Sequence, residues 1–354
     1  MPSVSVLMSV YNGADYLRES VDSILNQTFA DFEFIIIDDA STDNTPAILD
    51  SYPDQRIVRL HNPHNLGLTH SLNRGLAIAQ GRYIARHDAD DIAHVERLAK
   101  QVHFMDAQPD LGLACGHITR INAAGQPTFK KESTNLPRLS PLALRWELLW
   151  TNPIMHSTVM LRKSVLDEHQ LQYNPNYNGA EDYELWTRLA HLTDLARMPE
   201  MLSYYRILSS GVSGSNAIRQ KTLTYQIMVR EVRAWLEHEF SDAALKTIFE
   251  TRHFPENEKH RDFRAAVDLL MQTYHQFQHM AHDQETDQQL RQSAGGWLLR
   301  LSNRARQYSR REALYPLWRL REISYQEFVI RGATHLYRIV KNSPGIHSWA
   351  TDKS

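Results

Sequence analysis

The stretch "FEFIIID" (residues 32–38) decides the fold, because it is almost wholly apolar and rich in β-branched residues. A strand with apolar side chains on both faces must be covered on both sides, which is typical of the inner strands of parallel sheets. We therefore predict that this run is a central strand of a parallel sheet.

Strand-like and helix-like patterns alternate around this run. Strand patterns occupy "VSVLMSV" (4–10), "RIVRLH" (56–61) and "RYIARH" (82–87). Helical spacing of apolar residues occupies "ADYLRESVDSILNQ" (14–27) and "LTHSLNRGLAIAQG" (68–81). This alternation predicts an α/β layer built on a mostly parallel sheet.

The chain changes character after residue 206. The segment "SSGVSGSN" (209–216) is a Ser/Gly-rich break, and beyond it the sequence becomes polar and helical. We predict two domains, 1–214 and 215–354, of which the second is helical.

Bulk composition excludes some function classes. With a net charge of −2 over 354 residues, the chain is not a polycation of the kind that binds nucleic acid. Its one cysteine, Cys115, cannot form an internal disulfide, which fits a reducing compartment. The N-terminus lacks a basic signal-peptide region, and no apolar run reaches the roughly 18 residues of a bilayer span. We expect a cytoplasmic protein, with a peripheral place on the inner face of the membrane left open.

Three carboxylates cluster just past the strand at 82–87. Asp88, Asp90 and Asp91 lie where open α/β sheets bind ligands, at a strand's C-terminal end. Like charges this close raise one another's pKa unless a positive partner neutralises them. Hard oxygen ligands of this kind suit Mg²⁺ or Mn²⁺. The alternative is a solvated turn that caps a helix starting near Ala93.

Four segments, in this order along the chain, resemble glycosyltransferase family 2, the inverting enzymes of GT-A fold that use nucleotide sugars. They are "VSVLMSVYNG…IIIDDASTDNT" (4–45), "HNLGLTHSLNRGLAIAQGRYIARHDADD" (64–91), "NPIMHSTVMLRKSV" (152–165) and "GAEDYELWTRLA" (179–190). The resemblance implies a Rossmann-like, GT-A nucleotide-binding sheet flanked by helices, followed here by a helical C-terminal region.

The resemblance also implies a uridine site at the first two strands. In the family, the aspartate that matches Asp39 accepts the N3 proton of the donor's uracil. Ser9 and Tyr11 match positions that line the base and ribose. The alternative for Asp39 is that it and Asp38 only cap local turns through hydrogen bonds to the backbone.

Asp88 and Asp90 match the family's DxD motif. The resemblance implies that Asp88 lies near the ribose and metal, and that Asp90 binds the Mn²⁺ or Mg²⁺ that bridges the diphosphate. Arg86 is placed with Asp88 among the nucleotide-binding residues. The predicted donor is a UDP-sugar, and the metal would neutralise charge on the leaving diphosphate.

The later motifs match the acceptor side. Asp182 matches the family's catalytic base, and Glu181 is its neighbour with a possible role in holding the acceptor. His156 and Asn152 match a loop and strand near the sugar and acceptor. The alternatives are first-turn acids favoured by the helix dipole and a histidine that is merely packed.

One position departs from the family pattern. Where the family often has Tyr-Arg-x-His, "YRILSSGVS" (205–213) has Leu208 in place of the histidine. Metal ligation would then rest on the aspartates and phosphate oxygens, while Arg206 would contact the diphosphate. A catalytically degenerate binding or scaffolding subunit is the alternative that Leu208 leaves open.

Two other enzyme classes fit less well. A sugar-phosphate nucleotidyltransferase expects a Gly-rich loop with a basic residue after the first strand, whereas Gly13 stands alone there without a nearby lysine. A phosphatase with a DxD nucleophile expects the motif after the first strand and followed by Thr or Val, whereas Asp91 and Ile92 follow here.

Arginines and aromatic residues are interleaved over residues 291–341, from Trp297 through Trp318 to Phe328. Basic, aromatic helices can lie on an anionic membrane. We therefore predict a saccharide or lipid-linked saccharide acceptor, used in cell-surface polysaccharide or glycolipid synthesis. The alternative is that these helices only pack against the catalytic domain or form an oligomer.

Overall fold

The computed structural model describes residues 1–128, 138–208, 217–236, 239–253 and 262–323. Contacts divide the chain into two compact units, the first being Met1–Met228 and the second beginning at Val229. The predicted domain boundary at 214/215 falls outside the described residues, so it stays a prediction.

An eight-stranded mixed sheet forms the centre of the first unit, in the order β3-β2-β1-β4-β7-β6-β8-β5. Its strands are β1 (Val4–Val10), β2 (Phe32–Asp38), β3 (Ile57–His61), β4 (Tyr83–Arg86), β5 (Ile92–Ala93), β6 (Leu111–Ile121), β7 (Met160–Arg162) and β8 (Asp194–Arg206). β1, β2, β3 and β4 are mutually parallel where they pair, and β6 pairs parallel with β8. The antiparallel pairs are β4 with β7, β6 with β7, and β5 with β8.

The helices of the first unit cover both faces of the sheet. They are α1 (Ala14–Leu25), α2 (Thr45–Asp50), α3 (Leu68–Ile78), α4 (Arg97–Asp106), α5 (Pro141–Trp150), α6 (Lys163–Glu168) and α7 (Glu181–Ala190), with short 3₁₀ turns at His156–Thr158 and Pro175–Tyr177. α8 (Ala217–Trp235) continues into the second unit.

Side chains alternate between two cores, as the period of a strand requires. On β2, Phe34 and Ile36 join the core that holds residues of α1 and α4, including Val21. Ile35 and Ile37, which alternate with these residues along the strand, join the opposite core with residues of α3, α5 and α7. The run that decides the fold is therefore buried on both faces, and the polar ends of β1, β2 and β4 are directed to one edge.

The described part of the second unit is helical. It comprises α9 (Asp242–His253), α10 (Phe263–Met280), α11 (Gln284–Ala305) and α12 (Arg310–Ile323). Its buried apolar residues include Leu270, Trp297 and Leu317, one from each of the last three helices. None of the described helices has both the length and the apolar content that crossing a bilayer requires.

Candidate functional site

The carboxyl ends of β1, β2 and β4 lie side by side, because these three strands are parallel and in register. Ser9 and Tyr11 come from the end of β1, Asp39 follows β2, and Asp88 follows β4. The tyrosine is half exposed, at 50%, so its ring is available to a ligand. This edge is where ligands bind in open α/β sheets.

Two residues with left-handed backbone fix the loops after β1 and β2. Asn12 has φ 51° and Ala40 has φ 61°. The Asn12 backbone N–H donates to the Ser41 hydroxyl at 2.9 Å, and the Asn12 side-chain oxygen accepts from the Thr42 N–H at 2.8 Å. A left-handed alanine costs about 1–2 kcal/mol, and such strain is common where a loop is held in position for a ligand.

Asp39 is buried and holds a third loop. Its Oδ1 accepts from the Asn62 amide at 2.5 Å and from the Leu66 N–H at 2.8 Å, and its Oδ2 accepts from the Gly67 N–H at 2.8 Å. Asp38 makes the turn-capping contact, with Oδ1 accepting from the Ser41 N–H at 2.9 Å. The capping alternative therefore describes Asp38, whereas Asp39 organises the loop before α3.

The acidic loop after β4 is anchored by two arginines. Arg86 is buried and its Nη2 donates to Asp88 Oδ1 at 2.5 Å. Arg206 donates through its backbone N–H to Asp91 Oδ1 at 2.9 Å and through Nε to the Asp90 carbonyl at 2.8 Å. Arg206 thus holds the backbone of the loop, and Arg86 holds the Asp88 side chain.

The predicted diphosphate contact of Arg206 gains no support from its position. Its Nη1 donates to the carbonyls of Asn122 and Ala123, and its Nη2 donates to Glu19 Oε2 at 2.5 Å. Its guanidinium also lies over the Tyr16 ring, 4.5 Å from the centroid. All three guanidinium nitrogens therefore bind protein oxygens, and the described contacts give Arg206 the role of positioning the acidic loop.

The carboxylates of this loop have perturbed acidities. Burial and the charge of Asp88 raise the pKa of Asp90 to about 6, and the same two causes raise the pKa of Asp91 well above its ordinary value. Among the described residues, Asp91 Oδ2 has no hydrogen-bond partner. The loop therefore brings together three carboxyl groups and two arginines, and burial disfavours the charged forms of Asp90 and Asp91.

This donor set fits a divalent cation. Carboxylate oxygens are the ligands that Mg²⁺ and Mn²⁺ prefer, and Mg²⁺ commonly binds one or two carboxylates together with substrate phosphates. Within the described ranges, no cluster of three or more His, Cys, Asp or Glu side chains is arranged as a metal site. Asp88 and Asp90 are the residues of this loop that would hold such a cation.

Asp182 lies at the start of α7, where its geometry is set by Asn152. The Asn152 amide donates to Asp182 Oδ2 at 2.8 Å, and the Tyr183 N–H donates to Oδ1 at 2.6 Å. Burial and the charge of Glu181 raise the pKa of Asp182 to about 7. A carboxylate with a pKa near neutrality is suited to general-base work.

Glu181 is positioned differently from its neighbour. Its Oε2 accepts from the Gly179 N–H at 2.6 Å, and burial raises its pKa. Gly179 has φ 101°, so the tight turn before α7 requires a residue without a side chain. Glu181 therefore closes the turn at the start of the helix that carries Asp182.

His156 belongs to a buried aromatic cluster. Its Nε2 lies 2.8 Å from the Tyr173 hydroxyl, and its ring is 5.8 Å from that of Trp186. Burial and the charge of Arg86 lower the pKa of His156 well below its ordinary value, so its imidazole is neutral. It is a fixed hydrogen-bonding group, which fits a positioning role.

Arg86 links the acidic loop to the acceptor-side residues. Its charge acts on the pKa of His156, Tyr173 and Glu181, and Asp88 acts on that of Asp182. Among the described residues, its Nε and Nη1 atoms are buried without a hydrogen-bond partner. Asp88 of the DxD motif and the two acids at the start of α7 therefore influence one another electrostatically.

Three supporting residues were not found from the sequence. Asn62 binds Asp39, Tyr173 binds His156, and Arg97 donates to the Arg86 carbonyl at 2.7 Å. Burial lowers the pKa of Arg97 to about 9. Asn62 lies two residues before the matched segment that begins at His64, and that proximity is the one signal that could have found it.

The chain has relatives among known proteins. The family described as Glycosyl transferase family 2 matches residues 5–170. An uncharacterized glycosyltransferase of Haemophilus influenzae is 34% identical, over 64% of this chain and 75% of that protein. An Escherichia coli protein named UDP-Glc:alpha-D-GlcNAc-diphosphoundecaprenol beta-1,3-glucosyltransferase WfaP is 30% identical, over 65% of this chain and 88% of its own length.

The fold has a counterpart among solved structures. The crystal structure of S. aureus TarS 1–349 in complex with UDP-GlcNAc superposes with a TM-score of 0.56 at 18% identity, covering 92% of each chain. This likeness confirms the expected GT-A-like sheet flanked by helices, with a helical C-terminal region. The chain is therefore a glycosyltransferase and belongs to glycosyltransferase family 2.

Proposed function

We propose that the protein transfers a sugar, with inversion of the anomeric centre, from a UDP-sugar to an acceptor hydroxyl. One observation carries this proposal: Asp182 is held by Asn152 with a pKa raised to about 7, in the same electrostatic cluster as Asp88. A proton acceptor and a diphosphate-binding loop together are what a single displacement needs.

Asp182 acts as the base. Its Oδ atoms are oriented by the Asn152 amide and the Tyr183 N–H, which fix the orientation of the carboxylate. It takes the proton of the acceptor hydroxyl as that oxygen attacks the anomeric carbon, opposite the leaving diphosphate. Help of this kind is typically worth about 10²–10⁴ in rate.

The acidic loop binds the leaving side of the donor. A divalent cation held there by Asp88 and Asp90 would neutralise charge developing on the diphosphate. Arg206 keeps the Asp90 backbone in place, and Arg86 holds the Asp88 carboxylate. Asp39 and the half-exposed Tyr11 supply the base site at the neighbouring strands.

The acceptor is a saccharide, and we propose that it is lipid-linked. The relative WfaP is named for a diphosphoundecaprenol acceptor, which is a lipid. The second unit supplies an exposed strip on α12, defined by Arg311, Leu314, Trp318 and Arg321, with Leu314 43% and Trp318 47% exposed. This α12 strip would rest on the anionic inner face of the membrane.

Only part of the arginine and aromatic pattern is available for such contact. Trp297 and Arg304 are buried, and Arg319 pairs with Asp268 at 2.9 Å. Burial and an ion pair therefore account for these three residues. Phe328 and Lys341 lie outside the described residues, so the membrane proposal rests on the α12 strip.

Donor turnover without acceptor tests the proposal. The full chain would be incubated with a panel of UDP-, GDP- and CDP-sugars in Mn²⁺ or Mg²⁺, and nucleoside diphosphate release would be measured. We expect slow hydrolysis of at least one UDP-sugar, abolished by EDTA. Hydrolysis confined to another nucleotide class would overturn the choice of donor.

A further inference from the structure

A tight turn at Asp88 closes the backbone of the acidic loop. The Asp91 N–H donates to the Asp88 carbonyl at 3.3 Å, and the same carbonyl accepts from the Ser20 hydroxyl of α1 at 2.8 Å. Asp90 lies inside this turn. The Ser20 contact therefore acts on the relative placement of Asp88 and Asp90, the two residues that would hold the cation.

The Ser20 hydroxyl also fixes the tautomer of His87. Because a carbonyl only accepts, the single proton of this hydroxyl is used by Asp88. The Nε2 atom of His87 lies 3.1 Å from the same hydroxyl oxygen, so Nε2 must supply the proton of that contact. In the resulting Nε2–H tautomer, Nδ1 carries no proton and accepts a hydrogen bond.

Arg97, the first residue of α4, supplies the donor that Nδ1 requires. Its Nη1 lies 3.4 Å from His87 Nδ1, and its Nη2 donates to the Arg86 carbonyl at 2.7 Å. Guanidinium nitrogens only donate, so this contact requires the same tautomer as the Ser20 contact does. Hydrogen bonds therefore run in one direction from Arg97 through His87 and Ser20 to the Asp88 carbonyl.

We propose that Arg97, His87 and Ser20 are positioning residues that fix the backbone of the acidic loop, with His87 held as the Nε2–H tautomer. All three side chains are buried, so they act on a ligand only through that backbone. This inference rests on the proposed function, in which Asp88 and Asp90 hold the cation that binds the diphosphate of the donor.

The tautomer of His87 is the first test, and it uses the wild-type chain. Long-range proton–nitrogen NMR with isotope-labelled histidine separates a protonated ring nitrogen from a bare one, because the two ring nitrogens are chemically distinct. The His87 signal is the one among the 18 histidines that His87→Gln removes. We expect a protonated Nε2 and a bare Nδ1. A protonated Nδ1 would overturn the inference.

UDP binding by Ser20→Ala tests the positioning role. The variant removes the hydroxyl that joins His87 to the Asp88 carbonyl. In Mn²⁺, calorimetry should show a UDP affinity about fivefold below that of the wild type, which is the size expected for one hydrogen bond. In EDTA the affinities of the variant and the wild type should be equal, because the acidic loop then holds no cation.

Ser302→Ala is the matched control in the second unit. The Ser302 side chain is fully buried in α11, and its hydroxyl donates to the Ala313 carbonyl at 2.7 Å. Its removal should lower the melting temperature to a similar extent as Ser20→Ala does. The UDP affinity of this control should equal that of the wild type, both in Mn²⁺ and in EDTA.

The outcomes separate this inference from the proposed function. If Ser20→Ala leaves UDP affinity unchanged, or weakens it equally in Mn²⁺ and in EDTA, the inference is wrong and the proposed function stands. A wild-type chain that does not bind UDP in Mn²⁺ would overturn both. If Ser20→Ala does not fold, the tautomer of His87 in the wild-type chain decides.

Discussion

The base site and the transfer site use buried carboxylates in opposite ways. Asp39 accepts three N–H hydrogen bonds from the loop before α3. At the transfer site, burial and neighbouring acids raise the pKa of Asp90 to about 6 and that of Asp182 to about 7. The first site is organised by the chain itself, whereas the second leaves negative charge to be neutralised by protons or cations.

The contrast between the two sites predicts which of them should respond to pH and to metal. A carboxylate supplied with N–H donors keeps its geometry without a ligand. Carboxylates that crowd one another respond to pH and to metal. Changes at the transfer site should therefore act on turnover and metal dependence, and changes at the base site should act on nucleotide choice.

The largest expected effect comes from Asp182→Asn. The amide keeps the shape of the side chain and loses the ability to take a proton. We expect turnover to fall by about 10²–10⁴-fold with UDP affinity near that of the wild type. Asp167→Asn, at an exposed acid that pairs with Lys163, is the matched control and should keep full turnover. A wild-type rate in the Asp182 variant would contradict this assignment and make Glu181 the candidate base.

Loss of the cation site comes next. Asp90→Ala, or EDTA added to the wild type, should weaken UDP binding by about 100-fold. Even mutation of residues that only hydrogen-bond to metal ligands commonly lowers metal affinity or activity by 10–100-fold. Calorimetry with and without Mn²⁺ measures the UDP affinity. Asp50→Ala, which changes a side chain that is 81% exposed, is the control. Equal UDP affinity with and without metal would show that the acidic loop does not use a cation.

The pH profile of turnover tests whether Asp182 is the base. With its pKa at about 7, Asp182 is ionised in about one-tenth of molecules at pH 6 and about nine-tenths at pH 8. Because only the ionised form accepts a proton, turnover should rise about tenfold over this range. The residual rate of Asp182→Asn should be flat, and a wild-type rate that falls with rising pH would contradict the assignment.

The smallest expected effect concerns the α12 strip. Each basic residue near an anionic surface contributes about 1 kcal/mol, so Arg311→Gln and Arg321→Gln should each weaken binding to anionic liposomes by about fivefold. Flotation at low and high salt measures this, and Arg59→Gln in the first unit is the control. If the wild-type chain stays unbound at low salt, the membrane proposal is wrong.

The inner strands and the acids of the site could be predicted from the sequence. The runs 4–10 and 32–38 match β1 and β2 residue for residue, because a buried apolar run ends sharply at its turn residues. Asp88 and Asp182 were predicted from motifs, and the structure places them in one electrostatic cluster. Their individual roles stay predictions.

Other features depend on tertiary contacts that no local pattern encodes. The apolar stretch "IMHSTVML" (154–161) has the pattern of a strand, but the strand is confined to Met160–Arg162. His156–Thr158 is a 3₁₀ turn instead, and the Thr158 hydroxyl donates to the Gly116 carbonyl at 3.3 Å. Thr45 before Pro46 has the pattern of an N-cap followed by proline, but the N-cap of α2 is Asn44, and the Thr45 hydroxyl accepts from the Gly13 N–H instead. Such contacts span tens of residues.

The C-terminal arginine and aromatic pattern was ambiguous for a related reason. A helix places core and surface residues at interleaved positions, so composition does not separate them. Trp297 faces the core, whereas Trp318 is 47% exposed beneath Arg321, whose guanidinium is 4.4 Å from its ring centroid. The structure was needed to assign each residue to a side.

The stereochemistry of donor hydrolysis tests single displacement at Asp182 most directly. Proton NMR would follow the first sugar released from an α-linked UDP-sugar in Mn²⁺, before mutarotation equilibrates the anomers. Attack opposite the diphosphate predicts that the β-anomer appears first and that Asp182→Asn slows its release. An α-anomer as the first product would contradict an inverting mechanism with Asp182 as the base.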